Sequence, residues 1–379
     1  MTAETVLSNA RIVLADEIVE GSLVLRDGLI AGIDAGAARI GEDMGGDFII
    51  PGLVELHTDH LEGHYAPRPK VRWNPIAAVL AHDAQVATAG ITTVLDALRV
   101  GMDEDADLTL DDIRKLADAI EDSVARDRLR ADHFLHLRCE VSAPDCLDAF
   151  ANFDGDERVK LASLMDHAPG QRQFVNLETY AYYYQRKLKL SDRDFQKFCE
   201  KRMGESERNS GPNRVFIAAA CRERGIVLAS HDDATSAHVD EAVEQGVRVA
   251  EFPTTEEAAR ASKAAGLGVL MGAPNVMRGA SHSGNVSART LASDGLLDIL
   301  SSDYIPFSLI QSAFFLGDMV EGISLPQAVA MVSKNPAQAV GLDDRGVIEQ
   351  GRRADLVRVR VDDHVPVVRT VWRQGRRVA

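Results

Sequence analysis

Cysteine is scarce in this 379-residue chain, with only Cys139, Cys146, Cys199 and Cys221 and no CxxC pair. Four scattered thiols are too few for a disulfide framework and argue against thiolate zinc binding. Long apolar runs are also absent: no stretch approaches the roughly 20 residues that span a bilayer. The N-terminus carries Glu4 ahead of strand-like sequence and does not resemble a cleavable signal, so the cytoplasm is the expected compartment. Positive charge is in deficit, with 42 Lys and Arg against 58 Asp and Glu and a net charge of −16. That balance argues against nucleic-acid or membrane-surface binding. A small anionic substrate is still compatible with it, provided the basic residues gather in one cleft. No Gly-rich fingerprint opens a helix and no Gly-Lys-Ser/Thr loop is present, which disfavours dinucleotide and P-loop folds.

What the chain does have is alternation. From residue 52 to about 335, apolar strands alternate with amphipathic helical stretches, and candidate strands end near His57, Leu95, Glu140, His167, His231, Glu251, Asn275 and Asp303. Eight strands with intervening helices imply a parallel sheet closed into a TIM-like (β/α)8 barrel. Outside this region, short strands flank turns such as Asp27-Gly28, a hairpin signal. The expected organisation is a small β domain from residues 1–51 plus 340–379 around a barrel at 52–339. Residues 171–215 are polar and aromatic, with Tyr180, Tyr182, Tyr183 and Tyr184, and are too long for a plain connection. They are expected to form a helical insertion over the top face or at a subunit contact of a homo-oligomer.

Pro51-Gly52-Leu53-Val54-Glu55-Leu56-His57-Thr58-Asp59 is an apolar run ending in His-x-Asp. Residues i and i+2 of a strand share a face, so His57 and Asp59 leave the strand side by side. The pattern recurs: His136, Arg138 and Glu140 share one face, Asp166-His167 and His231-Asp232-Asp233 close two further strands, and Asp303 ends the last. Barrel enzymes keep their active sites at that end. A lone histidine is more often a core or capping residue, but this joint occurrence is hard to explain as capping. His57, Asp59, Glu140, His167 and His231 are therefore the expected ligands of one or two divalent ions, of zinc, manganese or iron type. Such an ion lowers the pKa of water towards about 7 and so supplies hydroxide as nucleophile. Asp303 is placed to accept the water's proton. His60, His64, His82, His133, His238 and His364 fit structural or exposed roles better, and His136 lies deeper than Glu140.

Two segments suggest phosphate. Arg68, Lys70 and Arg72 alternate in a loop leaving the first strand, although a solvated face reads the same way. Residues 272–285 are rich in Gly, Ser, Asn and Arg, and backbone N–H groups of such a loop can cradle phosphate beside Arg278 and His282.

Pro51-Gly52-Leu53 leading to His57, Lys334-Asn335-Pro336-Ala337 and Gly351-Arg352-Arg353-Ala354-Asp355 resemble the amidohydrolase superfamily. Longer blocks narrow the likeness, among them Pro67-Arg68-Pro69-Lys70-Val71, Ser163-Leu164-Met165-Asp166-His167, Ser230-His231-Asp232-Asp233 and Ser281-His282-Ser283-Gly284-Asn285. They resemble the PhnM-type phosphonate-utilisation hydrolases, which act on a ribose 1-methylphosphonate 5-triphosphate. The resemblance covers nearly the whole chain. It implies an amidohydrolase-type barrel with a small β-sandwich domain, a divalent-metal site, and a phosphorylated sugar phosphonate hydrolysed to a 5-phosphate and pyrophosphate. Arg68, Lys70, Arg172, Arg278, Ser281, His282, Ser283 and Asn285 are the expected phosphate-binding residues. Two departures from the wider superfamily stand out: His-x-Asp replaces His-x-His, and no lysine stands at the fourth strand's tip, which makes Glu140 the expected bridging ligand. The alternatives are an amide or cyclic-amidine hydrolase, whose neutral pocket the basic loops contradict, and a non-catalytic binding subunit, which the repeated strand-tip donors contradict.

Overall fold

The alternating runs do close into a barrel. This computed structural model describes residues 4–102, 108–172, 180–181, 184–185, 189–280 and 284–379. The barrel strands are β1 (Leu53–Thr58), β2 (Ile91–Val100), β3 (Asp132–Glu140), β4 (Val159–Met165), β5 (Val227–His231), β6 (Val249–Glu251), β7 (Gly268–Gly272) and β8 (Ile299–Ser301). They pair in parallel and in chain order. A parallel bridge between Thr58 and Asp303 links the last strand's tip to the first. There the Asp303 N–H donates to the His57 carbonyl at 3.1 Å, and the Asp59 N–H donates to the Asp303 carbonyl at 3.0 Å.

Local sequence explains why the crossovers are helical. Asn74 caps the helix Pro75–Thr88 by accepting from the Ala77 N–H, with Pro75 at the first position. Thr109 and Asp112 cap each other's backbone at the start of Leu110–Ala125. Each helix returns the chain to the same end of the sheet, so every strand delivers its C-terminal residue to one rim. Below that rim the lumen is filled by Val54, Leu56, Leu95, Leu161, Ala229, Val249, Leu270 and Ile299. The barrel is a packed core with a functional mouth.

The two chain ends share a mostly antiparallel sheet. Phe48–Pro51 pairs with Leu356–Asp362, and Glu4–Val13 lies between Phe48–Pro51 and Ile18–Arg26. The Asp27-Gly28 turn adopts positive φ at both residues, 53° and 80°, as its hairpin sequence predicts. The strands form one hydrogen-bonded sheet around a core that includes Leu7, Leu23, Ile49, Leu356 and Trp372. Gly52 joins this sheet to β1 where a Cβ would lie 2.2 Å from Thr92 Oγ1, so the close approach requires glycine there.

Within the predicted insertion, Tyr182 and Tyr183 lie outside the described residues. The described part is dominated by a 33-residue helix, Asp192–Arg224, which runs nine residues past the predicted end at 215. Ser191 caps its start, and Gly225 ends it in the left-handed conformation. Its inner face meets the rim: Asn213 Nδ2 donates to the Val141 carbonyl at 2.9 Å, and Ser206 and Ser210 donate to Asp166 Oδ2 at 2.7 and 2.6 Å.

Candidate active site at the barrel mouth

The strand tips bring His57, His136, His167, His231 and Glu251 together, and four of these are fully or nearly fully buried. His57 Nδ1 lies 3.2 Å from Glu251 Oε1 and its Nε2 lies 3.7 Å from Asp59 Oδ1. The His57 ring centroid is 5.8 Å from that of His231, which is 5.7 Å from His167. His231 Nδ1 is 2.8 Å from Asp232 Oδ2, and His167 Nε2 is 3.7 Å from the same oxygen. Two groups of potential metal donors result, His57–His136–Glu251 deeper in the mouth and His167–His231–Asp232 beside it.

Charge follows from this packing. Burial would raise the Glu251 carboxyl, but His136 and His57 outweigh it and hold it down at about 2. Burial, opposed by the charge of Glu251, pushes His136 down to about 3; its Nδ1 lies 2.9 Å from the Leu56 carbonyl oxygen and its Nε2 2.8 Å from the Ser163 hydroxyl. Both ring nitrogens are thereby occupied, and His136 serves as the floor of the site. Burial and the negative charge of Asp59 raise Asp303 to about 6. Below them Glu55 accepts from the His57 and Ser302 N–H groups, each at 2.6 Å, and burial raises it to about 8. A neutral Glu55 thus ties the tips of β1 and β8 together.

Of the predicted ligands, His57, His167 and His231 fall within the donor groups. Asp59 sits beside His57, but its Oδ1 also accepts from Arg138 Nη1 at 2.5 Å. Glu140 stands behind His167: its Oε2 is 2.6 Å from Nδ1, and its Oε1 accepts from Ser142 at 2.6 Å and from the His167 N–H at 3.1 Å. Sequence reasoning missed Glu251 and Asp232 as donors, and Phe252 as a wall. The Phe252 ring lies 5.0 Å from His57 and 5.2 Å from His231. Phe252 adopts φ 53°, as Asp232 and Asp303 adopt 58° and 54°. Three non-glycine residues in the left-handed region, just past the ends of β5, β6 and β8, mark backbone strain held at the site.

The predicted phosphate residues sit in different settings among the described residues. Arg68, Lys70 and Arg278 are exposed. Arg172 is buried, with its guanidinium bonded to Asp233 and, at 2.6 Å, to Glu241. Ser281, His282 and Ser283 lie outside the described residues, and Asn285 is half-buried. Part of the predicted cradle is helical, Ala273–Arg278, and its Asn275 side chain is bonded to Val286 and Ala288.

The amidohydrolase family profile matches residues 155–379. A relative from Escherichia coli (strain K12), named alpha-D-ribose 1-methylphosphonate 5-triphosphate diphosphatase, is 50% identical over 98% of this chain and 100% of its own. The chain belongs to the amidohydrolase family. Solved structures with the same fold include the N-acetyl-D-glucosamine-6-phosphate deacetylase of Mycobacterium smegmatis, at TM-score 0.64 and 16% identity, covering 99% of this chain and 100% of that one. The 5-methylcytosine deaminase of Klebsiella pneumoniae gives TM-score 0.65 at 15% identity, covering 99% and 98%. At that identity the likeness speaks for the fold alone.

The donors of this amidohydrolase suit a divalent ion. Glu251 Oε2 is buried with no hydrogen-bond partner among the described residues, 3.9 Å from His136 Nε2. A buried, ionised oxygen left in that state costs about 1–3 kcal/mol or more, and a cation would complete it. Imidazole and carboxylate together match zinc, manganese or iron chemistry. Among the described residues, no helix is long and apolar enough to cross a membrane.

Proposed function

We propose that this amidohydrolase hydrolyses α-D-ribose 1-methylphosphonate 5-triphosphate to the 5-phosphate and pyrophosphate. The supporting observation is 50% identity to the Escherichia coli diphosphatase over 98% of this chain and all of that one. The His and carboxylate side chains gathered at the rim supply the donors that a metal-dependent hydrolase uses. The reading places the reaction in the cytoplasm, since a triphosphate does not cross a bilayer unaided.

In this reading His57 and Glu251 in one group, and His167, His231 and Asp232 in the other, would hold one or two divalent ions. Glu140 orients His167, and Asp59 is shared between the site and Arg138. A divalent ion there supplies Lewis acidity towards the phosphoryl oxygens and acidifies water. Asp303, raised to about 6 by burial and by Asp59, is ionised at neutral pH and takes the attacking water's proton. Water adds to the phosphorus nearest the ribose, the bond from that phosphorus to the bridging oxygen breaks, and pyrophosphate leaves with the electron pair. Phe252 and the buried floor exclude bulk water from one side, which strengthens each charge interaction.

The test is pyrophosphate release from this triphosphate by the metal-reconstituted protein, compared with the chelated protein. Metal-dependent release supports the reading, and absence of release with zinc, manganese and iron overturns it.

A further inference from the structure

Of the arginines chosen from sequence, Arg68 and Arg278 are exposed and Arg172 is paired with Asp233 and Glu241, and three other arginines lie at the mouth. Arg99 and Arg138 are register partners on β2 and β3. Arg138 lies on the face of β3 that carries His136 below it and Glu140 above it, both committed to the site. Arg99 shares a face of β2 with Leu95, which packs inside the barrel. The long helix adds Arg202, whose Nη2 lies 3.6 Å from Glu140 Oε1 and 3.2 Å from Ser142 Oγ. Burial opposes the charge on Glu140, but His167 first, and then Arg99 and Arg202, outweigh it and hold the carboxyl well below its usual range.

A guanidinium offers five N–H donors in a planar fork. Arg138 gives Nη1 to Asp59, while its buried Nε has no hydrogen-bond partner among the described residues. Desolvating an arginine without using its donors is costly, so this fork is poised for an acceptor that enters with the ligand. Phosphate oxygens fit: they are anionic, several to a group, and spaced for bidentate guanidinium contact.

We propose that Arg138 and Arg99, with Arg202 at their edge, form the subsite that binds the polyphosphate chain of the substrate. The proposal rests on the triphosphatase reading and adds the residues that recognise its leaving pyrophosphate. It also gives the His-x-Asp motif a purpose, because Asp59 holds Arg138 in place beside the donors.

The test is calorimetric titration of the full-length, metal-reconstituted protein with inorganic tripolyphosphate, with free divalent metal present so that the anion does not strip the site. The same titration is made on Arg138→Gln, Arg99→Gln and, as a control, Arg360→Gln on the exposed side of the terminal sheet, with melting temperatures recorded. The expected result is affinity weakened about 10–100-fold in each of the first two variants, the scale of a lost charge-assisted pair, with Arg360→Gln unchanged. KM for the triphosphate should rise with them. If Arg138→Gln does not fold, Arg138→Lys takes its place, since a single ammonium cannot reproduce the fork and should also weaken binding. Wild-type affinity in the Arg138 and Arg99 variants overturns the subsite, as does wild-type protein that binds no tripolyphosphate, whatever its hydrolytic activity. Failure to hydrolyse the sugar triphosphate alongside arginine-dependent tripolyphosphate binding would instead overturn the proposed reaction and leave the subsite standing.

Discussion

Glu140 Oε2 sits 2.6 Å from His167 Nδ1, fixing the ring so that Nε2 faces Asp232 and the barrel mouth. A carboxylate behind a ligand histidine sets its tautomer and raises its basicity. Replacing Glu140 with Gln keeps the shape but weakens that hold. Metal affinity is expected to fall about 10–100-fold, read as bound metal per chain after dialysis against graded chelator. Unchanged retention would remove Glu140 from the ligand-orienting role.

Glu251 is expected to matter more. Its carboxylate faces His57, His136 and His231 from a fully buried position, with Oε2 lacking a hydrogen-bond partner among the described residues. Glu251→Gln removes the negative charge that offsets a cation among these rings, so both metal content and turnover should collapse while the fold persists. A variant that retains wild-type metal would show that the ion is held elsewhere.

Asp303→Asn separates proton transfer from binding. General-base loss costs about 10²–10⁴-fold, and that loss should appear in kcat with KM little changed. An equal rise in KM would make Asp303 a binding group.

A second buried network gives a pH dependence of stability. His133 Nδ1 lies 2.8 Å from Asp96 Oδ2, His82 Nε2 lies 2.8 Å from Asp96 Oδ1, and Asp83 Oδ1 is 3.4 Å from His133 Nε2. Burial opposes the charge on His133, but Asp96 and Asp83 outweigh it and raise the imidazole to about 9. The folded state therefore binds a proton that the unfolded chain releases near pH 6.5. That contribution is complete below about pH 6.5 and is lost as pH rises through about 9. Denaturant midpoints should fall between pH 7 and 9.5, and His133→Gln should be less stable and show a flatter dependence over that range. The same slope in both proteins would assign the titration to another group.

Arg172 supplies a contrasting case. Its ion pairs with buried Asp233 and with Glu241 predict that Arg172→Ala leaves a buried carboxylate unpaired. The expected cost is about 3–5 kcal/mol of stability, with no selective rise in KM. A selective KM effect at unchanged stability would return Arg172 to substrate binding.

These contrasts show where sequence reading succeeds. Strand alternation placed His57, Glu140, His231 and Asp303 at one rim because period-two geometry is local and barrel order carries it around the ring. Glu251 was read as a strand end but not as a donor, because β6 has only three residues, Val249–Glu251, too few to show which face it presents. The His231-Asp232-Asp233 run could not reveal which carboxylate turns inward, since the positive φ of Asp232 decides that. Arg138 was visible on the site's face of β3, but its closeness to Asp59 depends on β1 and β3 meeting across the mouth. Arg172 shows the reverse: a basic residue beside a metal-binding block reads as a phosphate ligand until the fold brings Asp233 and Glu241 to it.

The most direct test of the proposed reaction is phosphorus NMR of α-D-ribose 1-methylphosphonate 5-triphosphate turned over in ¹⁸O-water by the metal-reconstituted protein. The expected products are pyrophosphate without label and a 5-monophosphate whose resonance carries the ¹⁸O shift. Label in pyrophosphate would move the attack to the second phosphorus, and an unchanged triphosphate spectrum would contradict the account at its centre.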